Sequence, residues 1–126
     1  MSFGFENLII WQKSRCLVKE VYILAEKFPR EERYGLSDQI RRAIISVSSN
    51  IAEGAGRYSL REKIHFCEIA YGSLMEVVCQ LTLACDLNFI LHEEMLLVRD
   101  KIEDLSRAIS GYRKALQNQL QNQSNK

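Results

Sequence analysis

Chain-breaking residues are scarce in this sequence. Of 126 residues, one is proline and six are glycine. That argues against a loop-rich all-β fold and favours long helices. The four cysteines, Cys16, Cys67, Cys79 and Cys85, include no Cys-x-x-Cys pair, so free thiols in a reducing cytoplasm are expected. No uncharged run approaches the roughly 20 residues that a membrane span needs, and no membrane partner is expected. The opening Met-Ser-Phe-Gly-Phe-Glu has neither a basic nor an apolar region of the kind a secretory signal carries. Charge of one sign is missing too: 17 Lys and Arg against 16 Asp and Glu leave +1. A blanket polycation for nucleic acid is thereby excluded, and any such binding must come from uneven placement of charge.

Catalytic equipment is equally thin. There are two histidines, His65 and His92, a poor supply of general bases. Glu62-x-x-His65 matches half of a di-iron bundle motif, but that site needs a second such motif on another helix. Gly54-x-Gly56 lacks the flanking strand and third glycine of a nucleotide fingerprint and reads as a helix stop. No metal, cofactor or enzymatic activity is expected.

The chain does carry one pattern four times over. Apolar residues recur in alternating steps of four and three, the repeat of packed helices. The first seam is Ile10, Ser14, Leu17, Val21, Leu24, Phe28, and the second Leu36, Ile40, Ala43, Val47, Asn50. The third runs Leu60, Ile64, Cys67, Tyr71, Leu74, Val78, Leu81, Cys85, and the fourth runs from Leu91 through Met95, Ile102 and Ile109 to Leu120. Asn7 is the expected N-cap of the first helix, and Pro29 stops it, with room for one helical turn starting at that proline. Ser59-Leu60-Arg61-Glu62 forms a capping box for the third helix. Residues 86–91 are the next turn.

Four helices joined by three short loops predict one all-α domain over residues 1–116, an antiparallel up-down-up-down four-helix bundle. Residues 117–126 are almost wholly polar and read as a disordered tail. Beside its seam the third helix carries Phe66, Ile69, Ala70, Met75, Val77, Leu83 and Ala84. A helix apolar nearly all round buries more than one face, which predicts a homo-oligomer.

The second helix is interrupted by polar residues: Gln39, Arg41, Arg42, Ser46, Asn50 and Glu53. Counting outward from the turn near Arg57, Ala43 falls opposite Tyr71 and Gly72. The expectation is a close helix contact at Gly72 and Ser73, with Arg41 or Arg42 paired to Glu76 to fix register.

These strings resemble a known family. Phe28-Pro29, Glu32, Tyr34-Gly35-Leu36, Gln39-Ile-Arg41-Arg42-Ala43, Asn50-Ile-Ala-Glu53-Gly54 and Gly72-Ser73-x-x-Glu76 are similar to those of the bacterial four helix bundle proteins. The namesakes of that family are encoded by intervening sequences within 23S rRNA genes. The likeness covers roughly residues 3–115. It implies a small up-down bundle, a ring-shaped homopentamer and no established catalysis. A distant relative, the accessory variability determinant of diversity-generating retroelements, is a pentamer that binds nucleic acid and a reverse transcriptase.

Two functions compete. One is a non-enzymatic module associated with RNA or DNA, or with a nucleic-acid-processing protein. The other is a pentameric protein–protein interaction scaffold. For the first, an up-down bundle gathers Lys13, Arg15, Arg57, Arg61, Lys63, Arg107, Arg113 and Lys114 at one end against Glu6, Glu53 and Glu62. The opposite end is net acidic. The candidate nucleic-acid residues are Arg57, Arg61, Lys63, Arg113 and Lys114.

Overall fold

The computed structural model describes residues 2–125. Four helices make up most of them: α1 (Ile9–Ala25), α2 (Leu36–Ala55), α3 (Leu60–Asp86) and α4 (His92–Ser124). Short 3-10 turns at Gly4–Asn7 and Arg30–Glu32 precede α1 and α2. Among the described residues there is no strand. The fold is all-α, as the periodicity requires.

Every expected seam residue from Ile10 to Phe28 is buried, although α1 ends at Ala25 and Phe28 lies in the turn before Pro29. Ser14 sits in that stripe fully enclosed because its hydroxyl donates to the Trp11 carbonyl at 2.7 Å. In α4 the seam holds at Met95, Val98, Ile102, Leu105, Ile109 and Leu116, whereas Leu91 at its start is exposed.

The cores of α2 and α3 are broader than a single seam. Ile44, Ile51 and Gly54 join the second seam, and Ala70, Ser73, Val77 and Ala84 join the third. This added stripe on α3 is mostly small, and it lies on the side facing α2, where the two helices share the largest interface. Part of α3's surplus apolarity is therefore core of the same chain. Ile69, Met75 and Leu83 remain partly exposed. One 18-residue stretch of α3 reaches a mean hydropathy of 1.2, and a third of it is buried within the chain.

The helix ends follow local chemistry with two departures. The Ser59 hydroxyl accepts from the Glu62 backbone N–H at 3.0 Å, half of the expected box. Asn7 does not cap α1. It closes the first 3-10 turn, and extended Leu8 takes the cap position without a side-chain bond. At the far end of α3, Asn88 adopts φ 63°. Its N–H bonds Cys85 O at 3.0 Å, and that of Phe89 bonds Ala84 O at 2.8 Å, a Schellman closure in which Asn accepts the left-handed turn. Phe89 then packs on Phe28, ring centroids 5.7 Å apart.

The second departure concerns the C-terminus. α4 continues to Ser124, past the expected boundary at residue 116. Leu116 and half-buried Leu120 prolong its apolar stripe, and the intervening glutamines are good helix formers. Lys126 lies outside the described residues.

Ion pairs join α1 and the turn after it to α4: Lys13 with Asp104, Glu20 with Lys101, and, beyond the end of α1, Lys27 with Glu94. The hydrogen bond from Lys13 holds the Asp104 carboxyl below its ordinary pKa.

Candidate functional site

The unusual residues of α2 converge on a polar groove shared with α3. Gln39, Arg42, Ala43 and Ser46 line one wall, and Ser73, Glu76 and Gln80 the other. Its floor is a hydrogen-bond relay. Asn50 Nδ2 donates to the Ser46 carbonyl at 2.8 Å and to Ser46 Oγ at 3.0 Å. The Ser46 and Ser73 hydroxyls lie 2.8 Å apart. With Asn50 already donating to Ser46, the serine proton is available for Ser73.

The expected ion pair across this groove is not there. Arg42 Nε donates to Asp38 at 2.8 Å, one turn back on its own helix. An intrahelical partner at i−4 needs no adjustment of helix separation, so it wins over a partner across the groove. Arg41 turns the other way, toward α1, and its guanidinium carbon stands 5.5 Å from the Tyr22 ring centroid. Glu76 is exposed and takes part in no ion pair among the described residues.

The close helix approach also lies elsewhere. Gly72 is exposed, and a Cβ there would meet nothing within 4 Å. A Cβ at Gly54 would stand 2.7 Å from Phe66 Cβ. Gly54, not Gly72, is the glycine that lets α2 and α3 close. Counting from the turn was off by about one helical turn: it sets Ser46 opposite residue 68 or 69, whereas Ser46 meets Ser73, which was expected at the contact beside Gly72.

The α2–α3 turn divides the expected basic cluster into three kinds. Arg57 Nη2 donates to Glu53 Oε1 at 2.9 Å while its guanidinium carbon lies 4.8 Å from the Phe66 ring centroid. Lys63 Nζ donates to the Ala55 carbonyl at 3.0 Å, capping the C-terminal end of α2. Arg113 is half-buried near Cys67. Arg61 and Lys114 are exposed and unpaired among the described residues. Lys13 leaves the cluster altogether through its bond to Asp104. Tyr58, in the turn between Arg57 and Arg61, is fully exposed at 101%. It escaped the charge count, although an aromatic between two arginines is itself a signal for base stacking.

Beside this turn, burial pushes the Cys67 thiol up to about 11, opposed by Arg113 and Lys63 and reinforced by Glu68. Burial likewise raises Tyr112. A thiol held protonated is not a nucleophile. Glu62 and His65 are exposed, and among the described residues no three His, Cys, Asp or Glu side chains converge as a metal would require.

The profile of the 23S rRNA-intervening sequence proteins matches residues 6–111. The chain belongs to that family. Its groove residues from Gln39 to Gln80 and its basic turn all lie within the matched span. No curated protein matches the chain. Among solved structures it is similar to a protein of unknown function from the S23 ribosomal protein family of Bacteroides thetaiotaomicron. The TM-score is 0.78 at 20% identity, over 84% of this chain and 96% of that one. The likeness establishes the four-helix fold for this member of the 23S rRNA-intervening sequence family.

Proposed function

We propose that this protein is a non-catalytic, cytoplasmic, antiparallel up-down-up-down bundle that assembles into a ring-shaped homopentamer and offers its basic end to RNA or DNA. The ion pairs to α4 support the topology: partners at 13, 20 and 27 meet partners at 104, 101 and 94, in reversed order. Ile69, Met75 and Leu83, left partly exposed on α3, supply apolar surface for a neighbouring copy.

The observation that carries the nucleic-acid reading is the α2–α3 turn. There a fully exposed Tyr58 stands between Arg57 and Arg61, close to Lys63 and the first turn of α3. Stacking on an aromatic and phosphate contacts from basic side chains together favour sequence-tolerant binding. A cyclic ring points all such ends one way, so weak contacts add through multivalency.

The test is co-purification with and without nuclease, followed by the double variant Arg61→Glu, Lys114→Glu. Both side chains are exposed and unpaired, so the fold does not depend on them. The expected result is nucleic acid that resists washing, elutes steeply with salt and is lost in the variant while sedimentation still reports the pentamer. Retention unchanged in the variant refutes the basic end as the surface. A protein partner that survives nuclease favours the interaction scaffold instead.

A further inference from the structure

The connection between α1 and α2 forms a second site, distinct from the basic turn. A groove of about 440 Å³ opens there, lined by Arg30, Arg33, Ser37 and Arg41, with Glu26 and Phe28. That is a size typical of small-molecule sites. Phe28 is buried and Ser37 is 4% exposed, so part of the lining is fixed by the core.

Charge accounting at this end differs from the sequence count. Three of its acids are engaged, while Glu26, Glu31, Asp86 and Glu93 form no ion pair among the described residues. Glu94 takes Lys27 and accepts from the Leu91 N–H at 2.9 Å. Asp38 takes Arg42, and Glu32 accepts from the Leu36 N–H at 3.3 Å. The groove is left with three guanidinium groups and one carboxylate, Glu26. None of those four forms an ion pair among the described residues.

Arg41 is the decisive residue. Its Nε is closed off from solvent and has no hydrogen-bond partner among the described residues. An atom so enclosed is also out of a ligand's reach, so an anion in the groove is met by the terminal Nη groups of Arg41 and not by its Nε. Its guanidinium is held over Tyr22, which fixes the plane in advance of any ligand. The carbonyl end of α1 is partly satisfied within the chain. Its carbonyls at Leu24 and Ala25 already accept from the N–H groups of Lys27 and Phe28, at 3.0 and 3.1 Å.

We propose that this groove is an oxyanion site for a phosphate-bearing ligand, with Arg30, Arg33 and Arg41 as donors. Guanidinium forks match phosphate oxygens in pairs, and a dianion offsets the surplus positive charge that a neutral ligand would leave. The phosphate comes either from a small phosphorylated molecule or from a polynucleotide backbone.

The experiment titrates the intact protein with inorganic phosphate and pyrophosphate at constant ionic strength, read by 31P NMR and thermal unfolding. A short single-stranded oligonucleotide, read by anisotropy, forms the second arm. The expected result is saturable binding of at least one probe, weakened about tenfold or more in Arg41→Gln and in Arg33→Gln. Arg107→Gln, an exposed change outside the groove, binds the small probes as the wild type does. Should Arg41→Gln fail to fold, Arg33→Gln decides, since Arg33 stands over exposed Tyr34. Binding of the small probes alone assigns a small molecule; oligonucleotide binding lost in the groove variants but kept in Arg61→Glu, Lys114→Glu assigns a polynucleotide. No saturable binding in either arm, or binding undiminished in the folded groove variants, overturns the site.

Discussion

Two glycines in this bundle should respond to the same substitution with opposite signs. In Gly54→Ala the new Cβ would stand 2.7 Å from Phe66 Cβ, 3.5 Å from its Cγ and 3.7 Å from the Lys63 carbonyl. Carbon atoms rest at about 3.5–4.0 Å, so the gap must widen by roughly 1 Å. The atom in the way is a Cβ bonded to the backbone, and no rotamer change moves it. The helices α2 and α3 have to part, which costs about 1–3 kcal/mol by comparison with overpacked cores. Alanine's helix propensity offsets less than about 1 kcal/mol of that, since Gly54 lies in the last turn of α2. The net loss is about 1–2 kcal/mol. Gly72→Ala meets open space in the interior of α3 and should gain about 0.5–1 kcal/mol. Melting by circular dichroism converts each kcal/mol into roughly 3–6 °C for a chain of this length. Both variants need the same protein concentration, because assembly contributes to the apparent stability. A Gly54→Ala protein at least as stable as wild type, or two variants that shift together, would refute the packing argument.

Thiol reactivity at pH 8 should sort the cysteines by environment: exposed Cys16 and Cys79 react first, half-buried Cys85 follows, and Cys67 reacts only on unfolding. Because the folded Cys67 thiol titrates near 11 rather than 9.0, the unfolded chain releases that proton first. Stability should therefore fall between about pH 9 and 11, and Cys67→Ala should flatten that slope. Ser59→Ala removes the acceptor of the Glu62 N–H and should cost about 1 kcal/mol in urea unfolding; an unchanged midpoint would show that α3 needs no cap. Lys13→Met should return the Asp104 titration, followed by carboxyl NMR, upward to the ordinary carboxylate value. Since Asp104 is depressed in the folded state, the stabilisation from this bond exists above the ordinary value and disappears as pH falls through the folded one.

Much of the fold was legible because helix formation is local. The step pattern of apolar residues placed Ile10 through Phe28 in the core without error, and Ser59 announced the start of α3. Period and caps depend on residues three or four positions apart, all of which a sequence displays. The family likeness rested on strings such as Asn50-Ile-Ala-Glu53-Gly54, and the profile match over residues 6–111 bears it out.

What the tertiary structure alone decided is everything set by the rotation of one helix against another. A slip of one residue turns a helix by about 100°, enough to exchange Gly72 for Ser73 at the α2–α3 contact and to turn Arg41 from Glu76 toward Tyr22. Charge counts by position suffer in the same way. They show how many basic residues reach an end, but Lys63 is spent on the Ala55 carbonyl and Lys13 on Asp104. Glu32 and Asp38, near Arg33 and Arg41, are likewise taken up by a helix end and another cation, while Glu26 in the same groove is not. Whether a charge is free depends on which neighbour wins in three dimensions: Lys13 finds Asp104 on another helix, while Arg42 is claimed by Asp38 one turn away on its own.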